Sequence, residues 1–95
     1  LSEGIQKEFR KDGWVSSIEY HRNDKKITDL YGDNNKEIVL ILLREIKKIM
    51  ENGGTVDSVC YLGLLSSLGF DTNKLTNDRD LTLQTITSLL SKTEL

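Results

Sequence analysis

Ninety-five residues allow one domain with a single continuous core and leave no room for a second. Apolar residues make up 37% and charged residues 29%, a balance that excludes the low-hydrophobicity, high-charge signature of disorder and predicts a folded chain. The formal net charge of -2 comes from 13 basic and 15 acidic residues that alternate along the chain, which excludes a basic block of the kind that grips phosphate backbones; nucleic acid is not an expected partner.

The chain holds no proline, so the commonest helix breaker is missing from every segment and helix is the default expectation. Cys60 stands alone, which excludes an internal disulfide and a thiolate zinc cluster and makes a reducing, cytoplasmic setting the natural one. The longest apolar run, Ile38 to Leu43, falls far short of the ~20 residues a membrane-spanning helix needs, and no signal-peptide stretch is visible, so no membrane is expected. Leu1 in place of a methionine fits a processed protein or an excised fragment.

In chain order, Leu1, Ile5 and Phe9 recur every fourth residue with charges between them, which predicts a short amphipathic helix stopped by Asp12-Gly13. Trp14 to Tyr20 suits two structures: Trp14, Val15 and Ile18 fit a helix face, whereas Trp14, Ile18 and Tyr20 also fall on the alternating face of a strand. Helix is expected; the alternative pairs this piece with Ile27 to Tyr31, across the polar run from His21 to Lys26, as a β-hairpin over residues 14–31.

The strongest signal covers residues 35–50, where Ile38, Val39, Leu42, Leu43, Ile46, Ile49 and Met50 form a broad stripe that Leu40 and Ile41 widen. A helix buried on more than one side is expected, capped by Asn34 or Asn35, with Glu37 and Lys47-Lys48 placed to suit its dipole, and ended by Asn52-Gly53-Gly54. Thr55 or Asp57 then caps a helix carrying Val56, Val59, Cys60, Leu62, Leu65 and Leu68, which stops at Gly69 ahead of an anchoring Phe70. Residues 71–78 form a polar loop, and Asn77 or Asp78 caps a last helix with Leu81, Leu83, Ile86, Leu89 and Leu90 before a frayed tail.

The chain can also be laid on itself. Residues 11–18 fall over 52–59, a glycine turn before a short apolar segment each time, and residues 37–46 fall over 80–89, which sets a period of 41 to 43 residues. With that period, Met50-Glu51-Asn52-Gly53-Gly54-Thr55-Val56-Asp57-Ser58-Val59 resembles an armadillo unit boundary, and Asp80-Leu81-Thr82-Leu83-Gln84-Thr85-Ile86-Thr87-Ser88-Leu89-Leu90-Ser91 resembles the final helix of such a unit. The resemblance to armadillo and HEAT-type repeats spans residues 9–91. It implies two stacked units with a concave helical surface for a peptide or helix, as in the regulatory armadillo-like regions of formins. The charged stretch from His21 to Lys26 departs from the pattern where a second helix of the first unit is due.

No catalytic, cofactor or metal site is expected. His21 and Cys60 are the candidates for base and nucleophile, with Asp57 one turn before Cys60, yet Cys60 sits on an apolar stripe and His21 in a charged loop. Asp71, Asn73, Asp78 and Asp80 could gather around calcium, but Thr76 and Thr82 stand where an EF-hand needs its glycine and its bidentate glutamate. Gly53-Gly54-Thr55 lacks the lysine of a phosphate loop, and Arg44, Lys47 and Lys48 lie among Glu37, Glu45 and Glu51 as a solvated face. The aromatic residues carry the partner-binding expectation: Trp14 after its glycine turn, with Tyr20, Tyr31, Tyr61 and Phe70, each either a core plug or a binding anchor.

The expected fold is therefore all-α, with five or six helices arranged as an armadillo-like pair or a compact orthogonal bundle, and α+β with an N-terminal hairpin as the alternative. The expected function is a non-catalytic, regulatory protein–protein interaction in an apolar groove lined by the Trp14 region and the last two helices. One alternative is a small immunity, antitoxin or inhibitor protein; another is a helix-turn-helix DNA binder over residues 56–70 and 78–90, whose one early cation is Arg79. An exposed apolar helix edge could be closed by a second copy, giving a homodimer.

Overall fold

Residues 3–28, 30 and 35–93 are described by a computed structural model, whose N-terminal part is a sheet and whose remainder is helical. Strand β1 (Glu3–Phe9) pairs antiparallel with β2 (Val15–Arg22), and β2 pairs with the short β3 (Lys25–Lys26), in the order β1-β2-β3. This overturns the all-α expectation and its amphipathic first helix. Residues four apart share a face in a strand as well as in a helix, so the spacing of Ile5 and Phe9 fits both. Lys7, midway between them and on the same strand face, reaches Glu45 of the following helix at 3.4 Å.

The glycine expected to end a helix instead turns a hairpin. Gly13 takes φ +91, its N–H donates to the Arg10 carbonyl at 3.0 Å, and the Asp12 side chain accepts from the Trp14 N–H at 3.1 Å. The polar run from His21 to Lys26, expected as a loop, is the tip of a second hairpin. Asn23 and Asp24 both have positive φ, the two-residue turn whose twist matches flanking strands, and Arg22 and Lys25 close it. The hairpin weighed for 14–31 thus falls on 15–26, within a sheet that also includes β1.

Paired residues share a face. Ile5 with Tyr20, Lys7 with Ile18 and Phe9 with Val15 share one face, on which Ile5, Val15, Ile18 and Tyr20 pack into the core while Phe9 stays 63% exposed; Gln6 with Glu19 and Glu8 with Ser17 face away. A register shift between Glu8 and Phe9 marks a bulge that skips Ser16.

Helix α1 (Lys36–Glu51) is the hub and buries Ile38, Val39, Leu40, Leu42, Leu43, Ile46 and Met50. It packs against β2, against α2 (Val59–Ser67) and against α3 (Arg79–Thr93), with a single 3₁₀ turn at Thr72–Lys74 between the last two. Leu43, Ile46, Leu65 and Ile86 are fully enclosed, and burying each such side chain is worth about 1.5–3 kcal/mol relative to exposure. Asp78 caps α3 by accepting from the N–H groups of Asp80 at 2.9 Å and Leu81 at 3.2 Å. None of the described helices is long and apolar enough to cross a membrane.

Among the described residues no armadillo or HEAT repeat is seen: the first would-be unit is a sheet, and three helices stand where five or six were expected. The self-alignment has a different meaning. Val15, which it superposes on Val56, is hydrogen-bonded to that same segment: the Val15 N–H donates to the Thr55 carbonyl and the Asp57 N–H to the Val15 carbonyl, both at 2.9 Å, in a parallel bridge. The two glycine-then-valine segments look alike because both run extended after a turn and meet side by side.

Candidate functional site

The charge-free stretch Val59-Cys60-Tyr61-Leu62-Gly63-Leu64-Leu65 makes α2 apolar on every side, and a nine-residue helix cannot turn every side to the core. It buries Cys60, Leu64 and Leu65 and leaves Val59 70% and Leu62 36% exposed, with Gly63 and Ser66 on the same outward face. The helix stands as a ridge between two clefts. On one side, a cleft of about 350 Å³ runs between α2 and the sheet, lined by Ile18, Ile27, Leu30, Val59 and Gly63, with Glu19 and Lys26 among its polar residues.

On the other side, a cleft of about 270 Å³ is bounded by Trp14, Met50, Ser58, Tyr61, Asn77 and Arg79. Trp14 is 40% exposed, and the Arg10 guanidinium lies 4.6 Å from its ring centroid, a cation–π contact that stiffens the indole. Arg10 also sits 2.9 Å from Asp12 and 3.9 Å from Asp57, and Asp57 accepts from the Val59 N–H at 3.2 Å, so the start of α2 and the tryptophan share one polar brace. Arg79 donates to the carbonyls of Met50 and of Gly54, the latter at 2.8 Å. The cation singled out for DNA contact is thereby tied to the C-terminal end of α1.

Of the aromatic candidates, Trp14 and Tyr61 come together in this second cleft. Tyr20 does not join them: it is buried in the core, and its hydroxyl donates to Glu3 at 2.8 Å, which, with burial, pushes its pKa up. Phe70 lines a separate shallow hollow with Leu81, Gln84 and Leu89. Tyr31 lies outside the described residues.

Cys60 and His21 have separate partners. Burial, and then the charge of Asp57, pushes the Cys60 thiol up to about 11, so it stays protonated at neutral pH, and its Sγ–H points to the Val15 carbonyl at 3.7 Å. His21 lies on the outer sheet face, 3.1 Å from Glu19, whose other oxygen is 3.0 Å from Lys26. The hydrogen bond from His21, and then that from Lys26, holds the Glu19 carboxyl below its usual range. Asp71 and Asp78, weighed for calcium, accept from their own local backbone, and among the described residues no group of three or more His, Cys, Asp and Glu could hold a metal ion.

The exposure of Val59 and Leu62 was the feature that residue-by-residue expectation missed. Its signal was present in the sequence: a run without charge from Ser58 to Phe70, around a helix too short to bury all of its apolar residues. Compared with known proteins, the chain matches no family model, no curated protein and no solved structure.

Proposed function

We propose that the protein is a binding module whose partner lays an amphipathic helix along the exposed face of α2, with side chains entering the Trp14–Tyr61 cleft. The observation that carries this is the ridge itself: Val59 and Leu62 stay exposed on a charge-free helix flanked by clefts on both sides. Exposed apolar surface beside grooves is costly in water and is put to use when a partner covers it. Val59, Leu62, Gly63 and Ser66 fall at the spacing along which two helices interlock, and Gly63 lets a second backbone approach closely. Trp14, held by Arg10, supplies a rigid aromatic anchor at one end. A small inhibitor that covers an enzyme or toxin would use the same face.

The test is a selection of helical peptides from a displayed library against the native chain, followed by titration of the selected peptides into variants. Trp14→Ala and Leu62→Ser are each expected to weaken binding about ten-fold or more with unchanged circular dichroism. Selected peptides that bind both variants as tightly as the native chain would place the binding face elsewhere.

A further inference from the structure

The sheet stops at β1, and among the described residues no strand lies beyond it. The Ile27 N–H donates to the Tyr20 carbonyl, so Tyr20 aims its main-chain groups toward β3, and Glu19 and His21, one position away, aim theirs at β1. Through the register, Gly4, Gln6 and Glu8 turn their main-chain groups to β2, and Glu3, Ile5 and Lys7 turn theirs outward. The last three also carry their side chains on the helix-facing side of the sheet, paired with Arg22, Tyr20 and Ile18.

We propose that this outer edge of β1 pairs antiparallel with the same edge of a second copy of the chain, across a two-fold axis at Ile5 that sets Glu3 of each copy opposite Lys7 of the other. A two-fold perpendicular to the sheet keeps both helix-covered faces on one side, and outward-pointing main-chain groups then meet only each other. With Ile5 opposite itself, the facing pairs are Glu3 with Lys7, Ile5 with Ile5, and Lys7 with Glu3: opposite charges on either side of an apolar centre. Centring the axis on Gln6 sets Ile5 against Lys7 and Glu3 against Phe9. Centring it on Lys7 sets two ammonium groups together. Directly opposed unlike charges favour a strand pair and like charges oppose it, so the Ile5 register prevails.

The charged side chains are already held at this edge, Lys7 by Glu45 at 3.4 Å and Glu3 by the Tyr20 hydroxyl at 2.8 Å and Arg22 at 3.5 Å. At ~4.8 Å per strand, β2 and its copy stand ~14 Å apart across the joined sheet. Five paired residues bury far less than the ~1,600 Å² of a standard stable interface, so the dimer is weak and depends on concentration. It is independent of the α2 face.

Sedimentation equilibrium from low-micromolar to near-millimolar protein reads the association. The native chain is expected to shift from monomer to dimer, Lys7→Glu to weaken the association about ten-fold, and the exchange of Glu3→Lys together with Lys7→Glu to restore it. Because Lys7→Glu also breaks the contact with Glu45, a second readout uses Ile5→Cys, which on mild oxidation is expected to give a disulfide-linked dimer, whereas Gln6→Cys is not. A native chain that remains monomeric at the highest concentration overturns the proposal. So does a dimer indifferent to Lys7→Glu, or one that crosslinks through Gln6→Cys and not through Ile5→Cys.

Discussion

Helices α1 and α2 are both rich in apolar residues, and they place them differently. In α1 the apolar residues form a stripe that the sheet, α2 and α3 cover, while Lys36, Glu37, Arg44, Lys48 and Glu51 take the exposed positions. In α2 no charged residue occupies the outward face, and Val59 and Leu62 meet solvent. The first helix is apolar to the extent that its packing uses; the second is apolar beyond that extent. Val59 and Leu62 are the large apolar side chains that α2 leaves in water, and Tyr61 of the same helix lines a cleft with Trp14.

Substitutions in the core and on the ridge separate the two helices directly. Leu43→Ala, which empties a fully enclosed site on α1, is expected to cost about 2–5 kcal/mol in urea unfolding. Arg79→Ala, which removes the guanidinium from the Met50 and Gly54 carbonyls at the end of α1, is expected to cost about 1.5 kcal/mol, visible as a lower unfolding midpoint that Arg79→Lys does not restore fully. Leu62→Ser on α2 is expected to change stability by no more than about 0.5 kcal/mol, because its side chain is outside the core. A cost for Leu62→Ser equal to that of Leu43→Ala would erase the distinction between the helices.

An effect as small as that of Leu62→Ser lies in the sheet and serves as a reference for both helices. Glu19 has its pKa lowered on folding by His21 and Lys26, so it stabilises the fold above the ordinary carboxylate range and stops doing so as pH falls through its depressed folded value. Glu19→Gln is expected to remove about 0.5 kcal/mol at neutral pH and to flatten this part of the acid limb in unfolding measured against pH.

The helices were legible in the sequence where their signals are redundant, although Asn35 makes no side-chain cap to α1 and α2 begins at Val59, after Val56 has bridged to Val15. In α1, periodicity, dipole-matched charges and a glycine stop agree over four turns, and Asp78 caps α3 as its position suggested. The sheet was not legible because each of its signals has two meanings. Ile5 and Phe9 are four apart, Asp12-Gly13 ends helices and turns hairpins alike, and Asn23-Asp24 is hidden in a polar run that looks like an ordinary loop. The absence of proline removes a helix breaker without forbidding strands. Of the aromatic candidates, Trp14 and Tyr61 share a cleft, and Tyr20 was indistinguishable from them in sequence because a strand partner, Glu3, satisfies its hydroxyl.

Amide and indole chemical-shift mapping of the native chain, titrated with a peptide selected against it, locates the binding face residue by residue. Shifts are expected to concentrate at Trp14, Val59, Tyr61, Leu62 and Gly63, along the ridge and its aromatic cleft. Shifts confined to the outer sheet face around Gln6, Glu19 and His21, with α2 unchanged, would show that the partner does not bind along α2.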